Sequence, residues 1–123
     1  MQELKHKDVT EKIIGAAFEV YRALGFGFLE RVYQRAMQVE LQLRGLKAED
    51  ERPIKVRYKD VVVGDYEADL LVNDVVMIEL KIAAQYNAYD EAQLINELKA
   101  TGIRVGLLIN FGRDKVQFKR LVF

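Results

Sequence analysis

The chain contains no cysteine. Disulfide scaffolds, thiolate catalysis and cysteine-based zinc sites are excluded together. Neither sign of charge is in excess: 19 basic side chains face 19 acidic ones, for a formal net charge of zero. The chain is therefore no polycation of the kind that coats nucleic acid, and any phosphate-facing surface must be a local patch. No apolar run approaches the roughly 20 residues a membrane-spanning helix needs. The opening MQELKHKDVTEK lacks the apolar core of a signal peptide, so no membrane partner and a cytoplasmic location are expected. Low-complexity segments are absent too. What is present is 123 residues, 50% of them hydrophobic, which suits one domain over 1–123 with an ordinary core.

Asp8 and Glu11 form a capping-box pattern ahead of IIGAAFEVYRALG. There Ile13, Ile14, Ala17, Val20, Tyr21 and Leu24 recur at helical spacing, and Gly25 marks a stop. GFGFLE leads into a second predicted helix over 29–44, with Leu29, Val32, Tyr33, Ala36 and Leu43 as its apolar stripe. The following segment is rich in Val, Ile and Tyr and predicts strands at 52–58, 61–71 and 75–82. Lys59-Asp60 and Asn73-Asp74 are the turn signals between them. A third helix is predicted over 90–101, stopped by Gly102. IRVGLLINF reads as a strand covered on both faces, and KVQFKRLVF alternates as a last strand. The order is ααβββαββ. A helix between the third and fourth strands implies a crossover, hence an α/β domain whose mixed sheet is flanked by helices.

Within VVMIELKIA, Val75, Met77, Glu79 and Lys81 share one face of the predicted strand. A carboxylate and an amine on that face need a partner or a metal. Asp69 opens the apolar run of the preceding strand and lies across the predicted hairpin from Glu79. Two carboxylates with a lysine beside them suit a hard cation, Mg2+ or Mn2+, which polarises a phosphoryl oxygen and acidifies a bound water. Lys81 would orient that water or balance charge. Glu30, at the start of the second helix, is a candidate fourth group.

The turn between those strands sets a condition. Asn73-Asp74 as a plain two-residue loop would pair Val72 with Val75 and send Asp69 and Glu79 to opposite faces. A shared site needs Asp69 opposite Glu79, so a three-residue connection or a bulge is predicted.

Asp69 with Glu79-Leu80-Lys81 resembles the D…(D/E)-x-K signature of the PD-(D/E)XK nuclease superfamily, whose αβββαβ core matches the order after the first helix. Gly27-Phe28-Leu29-Glu30-Arg31-Val32-Tyr33 resembles the motif that names its GxxExxY family. YEADLLV, ATGIRVGLLINFG and FKRLVF fit as well. The resemblance implies a restriction-endonuclease-like fold. It places Glu30, Asp69, Glu79 and Lys81 in the active-site positions, with Asp69, Glu79 and the Leu80 main-chain carbonyl as metal ligands. Gln93 and Tyr33 would flank the site. One departure stands out: branches that carry Q-x-x-x-Y on the helix after the lysine strand have a tyrosine where this chain, after Gln93, has Glu97.

Plainer readings exist for several of these residues. Glu79 and Lys81 could be a surface ion pair, Asp69 a turn residue, and Glu30 a partner of the helix dipole. Tyr33 and Tyr66 read as half-buried packing residues. Arg104, Arg113, Lys115, Lys119 and Arg120 read as a solvated cluster. The function expected is metal-dependent hydrolysis of phosphodiester bonds in nucleic acid, DNA or RNA. The alternatives are an inactive nucleic-acid-binding or protein-interaction module on the same fold, and an enzyme acting on another phosphate-containing substrate. Small size makes a homodimer a natural way to enlarge the gripping surface.

Overall fold

A computed structural model describes residues 5–84 and 87–123. The elements follow the expected order: α1 (Lys7–Leu24), α2 (Glu30–Leu43), β1 (Ala48–Tyr58), β2 (Val61–Val72), β3 (Val76–Lys81), α3 (Ala88–Thr101), β4 (Val105–Phe111) and β5 (Val116–Val122). The five strands lie in sequence order in one sheet. All neighbours are antiparallel except β3 and β4, which run parallel because α3 carries the chain back across the sheet. Among the described residues, no helix is long and apolar enough to cross a membrane.

The sheet separates two cores. On one side α1 and α2 pack Ile13, Ala17, Tyr33, Met37 and Leu41 against Leu70, Ile78, Leu80, Leu107 and Ile109. On the other, Leu94 and Leu98 of α3 cover Ile54, Ala68, Met77 and Leu108. β4 is buried along its whole length, as its almost continuous apolar run predicts. Gly106 lets α3 come close, since a Cβ there would stand 3.1 Å from the Leu94 side chain.

Several local expectations are corrected. Asp8 does not cap α1: the helix begins at Lys7, after His6, because Val9 and Thr10 are already buried in the first turn. The buried row of α2 is Tyr33, Met37 and Leu41, a simple i, i+4 line, while Leu29 and Leu43 are exposed at its ends. β1 starts earlier than predicted, at Ala48. It is an edge strand whose polar residues pair locally, as in Arg52–Glu49 at 2.8 Å. α3 starts at Ala88, because Asn87 and Asp90 form a reciprocal capping box. The loosely basic cluster does not gather into one patch: Arg104 bonds the Phe123 carbonyl, Lys119 meets Glu91 at 2.7 Å, Arg120 bonds the Lys5 carbonyl and Arg113 lies over the Phe26 ring.

Candidate active site

The β2–β3 connection satisfies the condition set by the sequence. Asn73 and Asp74 both adopt positive φ, 51° and 61°, as a tight hairpin turn requires, and the Val75 N–H returns to the Val72 carbonyl at 3.0 Å. Val72 nevertheless takes Val76 as its ladder partner, followed by Leu71 with Met77 and Leu70 with Ile78. Val75 is thus an extra residue, and the same register carried one step further would set Asp69 opposite Glu79. Asn73 braces the turn by accepting the Lys47 N–H at 2.8 Å.

The ladder stops at that point, and β1 explains why. Leu70 belongs to the core under α1 and α2, whereas Ala68 belongs to the core under α3. Two residues of equal parity therefore point to opposite faces, and the switch occurs at Asp69. β1 switches at the matching place: Glu51, between the pairs Asp50–Leu70 and Arg52–Ala68, has a φ of 52°. Beyond it β1 and β2 leave β3 as a two-stranded arm. Asp69 occupies the fork, and its Oδ2 accepts the Leu80 N–H at 2.7 Å.

The other groups converge on this fork. Gln34 of α2 donates to the Asp69 carbonyl at 2.9 Å, which docks the first turn of α2 beside β2. Glu30, the first residue of α2, is half-buried there. Its carboxyl is raised above the usual range first by burial and then by the negative charge of Asp69, with Lys81 acting in the opposite direction. Lys81 ends β3, and its ammonium lies 3.9 Å from Asp90 at the start of α3. Past Lys81 the chain is pinned by the buried Asn110 of β4, which accepts the Ala83 N–H at 3.0 Å and donates to its carbonyl at 2.9 Å.

Burial dominates the electrostatics. Desolvation raises Asp69, while the Leu80 N–H, Glu79 and Lys81 act against it. Glu79, 8% exposed, is pushed up to about 10, first by desolvation and then by the charges of Asp69 and Glu97. Glu97 of α3 is 3% exposed and is also raised, chiefly by desolvation, with Glu79 and Gln93 beside it pulling the other way. Oε1 of Glu79 and both side-chain oxygens of Glu97 have no hydrogen-bond partner among the described residues. Two buried carboxyls beside one another disfavour each other's charge, which adds to the desolvation that raises Glu79.

Sequence reasoning missed Glu97, Gln34 and Asn110. Glu97 carried a signal: it lies between Leu94 and Leu98, on the buried edge of α3. Gln93 stands one turn before Glu97 and is exposed. Tyr33 is placed differently from the expectation that it flanks the site. It is fully buried, stacks on Phe111 with centroids 4.4 Å apart, and donates its hydroxyl to the Gly25 carbonyl. It anchors the turn that precedes Glu30.

Among the described residues, no three histidine, aspartate or glutamate side chains are already gathered closely enough to hold a metal ion. The donor set still fits a hard cation. Asp69 and Glu79 offer oxygens, and Oε1 of Glu79 is buried without a partner among the described residues.

A family model described as the PD-(D/E)XK nuclease superfamily matches residues 7–121. The chain belongs to the PD-(D/E)XK nuclease superfamily. Its mixed five-stranded sheet flanked by helices is this superfamily's fold. The crystal structure of SSO0001 superposes with a TM-score of 0.57 at 15% identity, over 94% of this chain and 58% of that one. An alkaline exonuclease, LHK-Exo from Laribacter hongkongensis, gives a TM-score of 0.48 at 12% identity, over 98% and 72%. No curated protein sequence matches the chain.

Proposed function

We propose that this PD-(D/E)XK chain is a divalent-metal-dependent nuclease that hydrolyses phosphodiester bonds in nucleic acid. The observation that carries the reading is Asp69 at the fork of β2 and β3, bound to the Leu80 N–H and bearing directly on the buried Glu79, whose Oε1 has no partner among the described residues. Asp69, Glu79 and the Leu80 carbonyl would hold Mg2+ or Mn2+. When bound, such an ion polarises a phosphoryl oxygen and makes a bound water more acidic. Lys81, turned toward α3 by Asp90, orients the attacking water and offsets charge on the phosphoryl oxygens. Glu30 supports the water from the α2 side. Glu97 is the neighbouring acceptor for the proton Glu79 gives up when it becomes a ligand. The GxxExxY branch is part of the same proposal. Three features support it: the φ of 113° at Gly27, which favours glycine, Glu30 at the fork, and the Tyr33 anchor.

The test is cleavage by pure protein on single- and double-stranded DNA and RNA with Mg2+ or Mn2+, beside Lys81→Ala. The expected result is metal-dependent cleavage that falls at least about a hundredfold in the variant. Undiminished cleavage by Lys81→Ala overturns the assignment of the site. Binding without cleavage by the unaltered chain favours the inactive-module reading.

A further inference from the structure

The arm that β1 and β2 form beyond the fork does not stand free. Between it and α3 runs a groove of about 950 Å³. We propose that this groove binds a single strand of nucleic acid, with Arg57 and Lys99 on phosphates and Tyr66 and Tyr89 against unpaired bases. The inference rests on the nuclease reading for the class of polymer, and deepens it by naming the strand state and the path.

Charge comes first. In a chain of zero formal net charge, Arg57 and Lys99 line one groove, and Glu97 is the acidic side chain among its lining residues. Lys55 at the groove's edge is turned to Asp65 at 2.7 Å, Lys99 lies 5.8 Å above the Phe123 ring, and Arg57 makes no ion pair among the described residues. A local basic strip of this kind follows a phosphate backbone.

The aromatic rings narrow the ligand. Tyr89 is 80% exposed and Tyr66 47% exposed, and both line the groove. Tyr66 is preset: its ring covers Gly64 so closely that a Cβ there would lie 3.2 Å from Cε2. In a duplex the base faces are covered by their neighbours, so exposed rings gain nothing. In a single strand every base has a free face, and rings alternating with cations are the usual means of holding it. The inner end of the groove fixes its direction. Glu97 lines it and touches Glu79, so a strand lying along it runs into the fork.

The test is fluorescence anisotropy in EDTA, which prevents metal-dependent cleavage, with short dye-labelled oligothymidine, oligouridine and a duplex of equal length. A single strand is expected to bind at least about tenfold tighter than the duplex, and Tyr89→Ala to weaken it about tenfold. Tyr89→Phe, which keeps the ring, should bind like the unaltered chain. Arg57→Gln should weaken binding and lower the salt slope by about one. Duplex bound as tightly as single strand, or both Tyr89→Ala and Arg57→Gln binding normally, overturns the proposal. Both side chains are exposed, so melting curves should be unchanged. The two readings fail separately: cleavage lost in Lys81→Ala with normal binding in the groove variants sinks the groove alone. Groove-dependent binding by a chain that cuts nothing supports the groove and counts against hydrolysis.

Discussion

Asp69 takes the main-chain N–H of Leu80 at 2.7 Å, at the point where the β2–β3 ladder ends. A side chain thus closes the fork that the departing arm opens. The same contact holds a half-buried carboxylate next to Glu79 and two residues from the end of β3. Structure and proposed chemistry meet in that one bond, because the group that stabilises the fork is the one that would bind the cation.

Asp69→Asn separates the two roles. An amide oxygen still accepts the Leu80 N–H, so melting should change by less than about 1 kcal/mol. Cleavage should fall by at least about a hundredfold, since a neutral amide is a poor ligand for a hard cation. Circular dichroism melting and a cleavage assay on the same preparation check both halves.

Stability should depend on pH through Glu79 and Glu97. Both carboxyls are raised in the folded state, Glu79 to about 10. The folded protein therefore binds more protons than the unfolded chain at neutral pH. The stabilisation is complete below the unfolded carboxylate range and is lost as pH rises through the folded values. The metal-free protein should lose melting temperature steadily from about pH 5 to pH 9. Glu97→Gln should flatten that slope and raise Tm near pH 8 by roughly 3–6 °C, the shift that about 1 kcal/mol produces at this chain length.

The hairpin turn offers a third check. Asn73 has positive φ and its Oδ1 accepts the Lys47 N–H. Asn73→Ala loses the bond and strains the backbone, and should cost about 1–2 kcal/mol. Asn73→Gly keeps the backbone freedom and should cost less. Equal losses in chemical denaturation would show that the turn conformation is not what holds the register.

Tyr33→Phe removes only the hydroxyl that bonds the Gly25 carbonyl. The cost in stability should be about 1 kcal/mol. Because Gly25 leads into the turn before Glu30, cleavage should also drop modestly. Unchanged activity would show that Glu30 is positioned by Gln34 alone.

Much of this was legible in the sequence because it was written locally. The apolar runs around Leu70, Ile78 and Leu107 predicted the central strands. The conflict between the Asn73-Asp74 signal and a shared site predicted the extra residue, which is Val75. The rest depends on pairing across the chain. Nothing near Asp69 says that Ala68 and Leu70 face opposite sides, because the switch needs Glu51 to turn at the same place on β1. Glu97 reads as an ordinary helix acid until α3 is laid over Glu79. The α2 stripe was misread because Leu29 and Leu43 match the apolar pattern but fall at the helix ends, beyond the core.

The central claim is that Asp69 and Glu79 hold one divalent cation between them. A crystal soaked in manganese, measured for anomalous scattering, tests it most directly. A single strong peak is expected between the two carboxylates at the fork, with Glu79 turned away from Glu97. No peak there, or one bound elsewhere while Glu79 and Glu97 remain in contact, would contradict it.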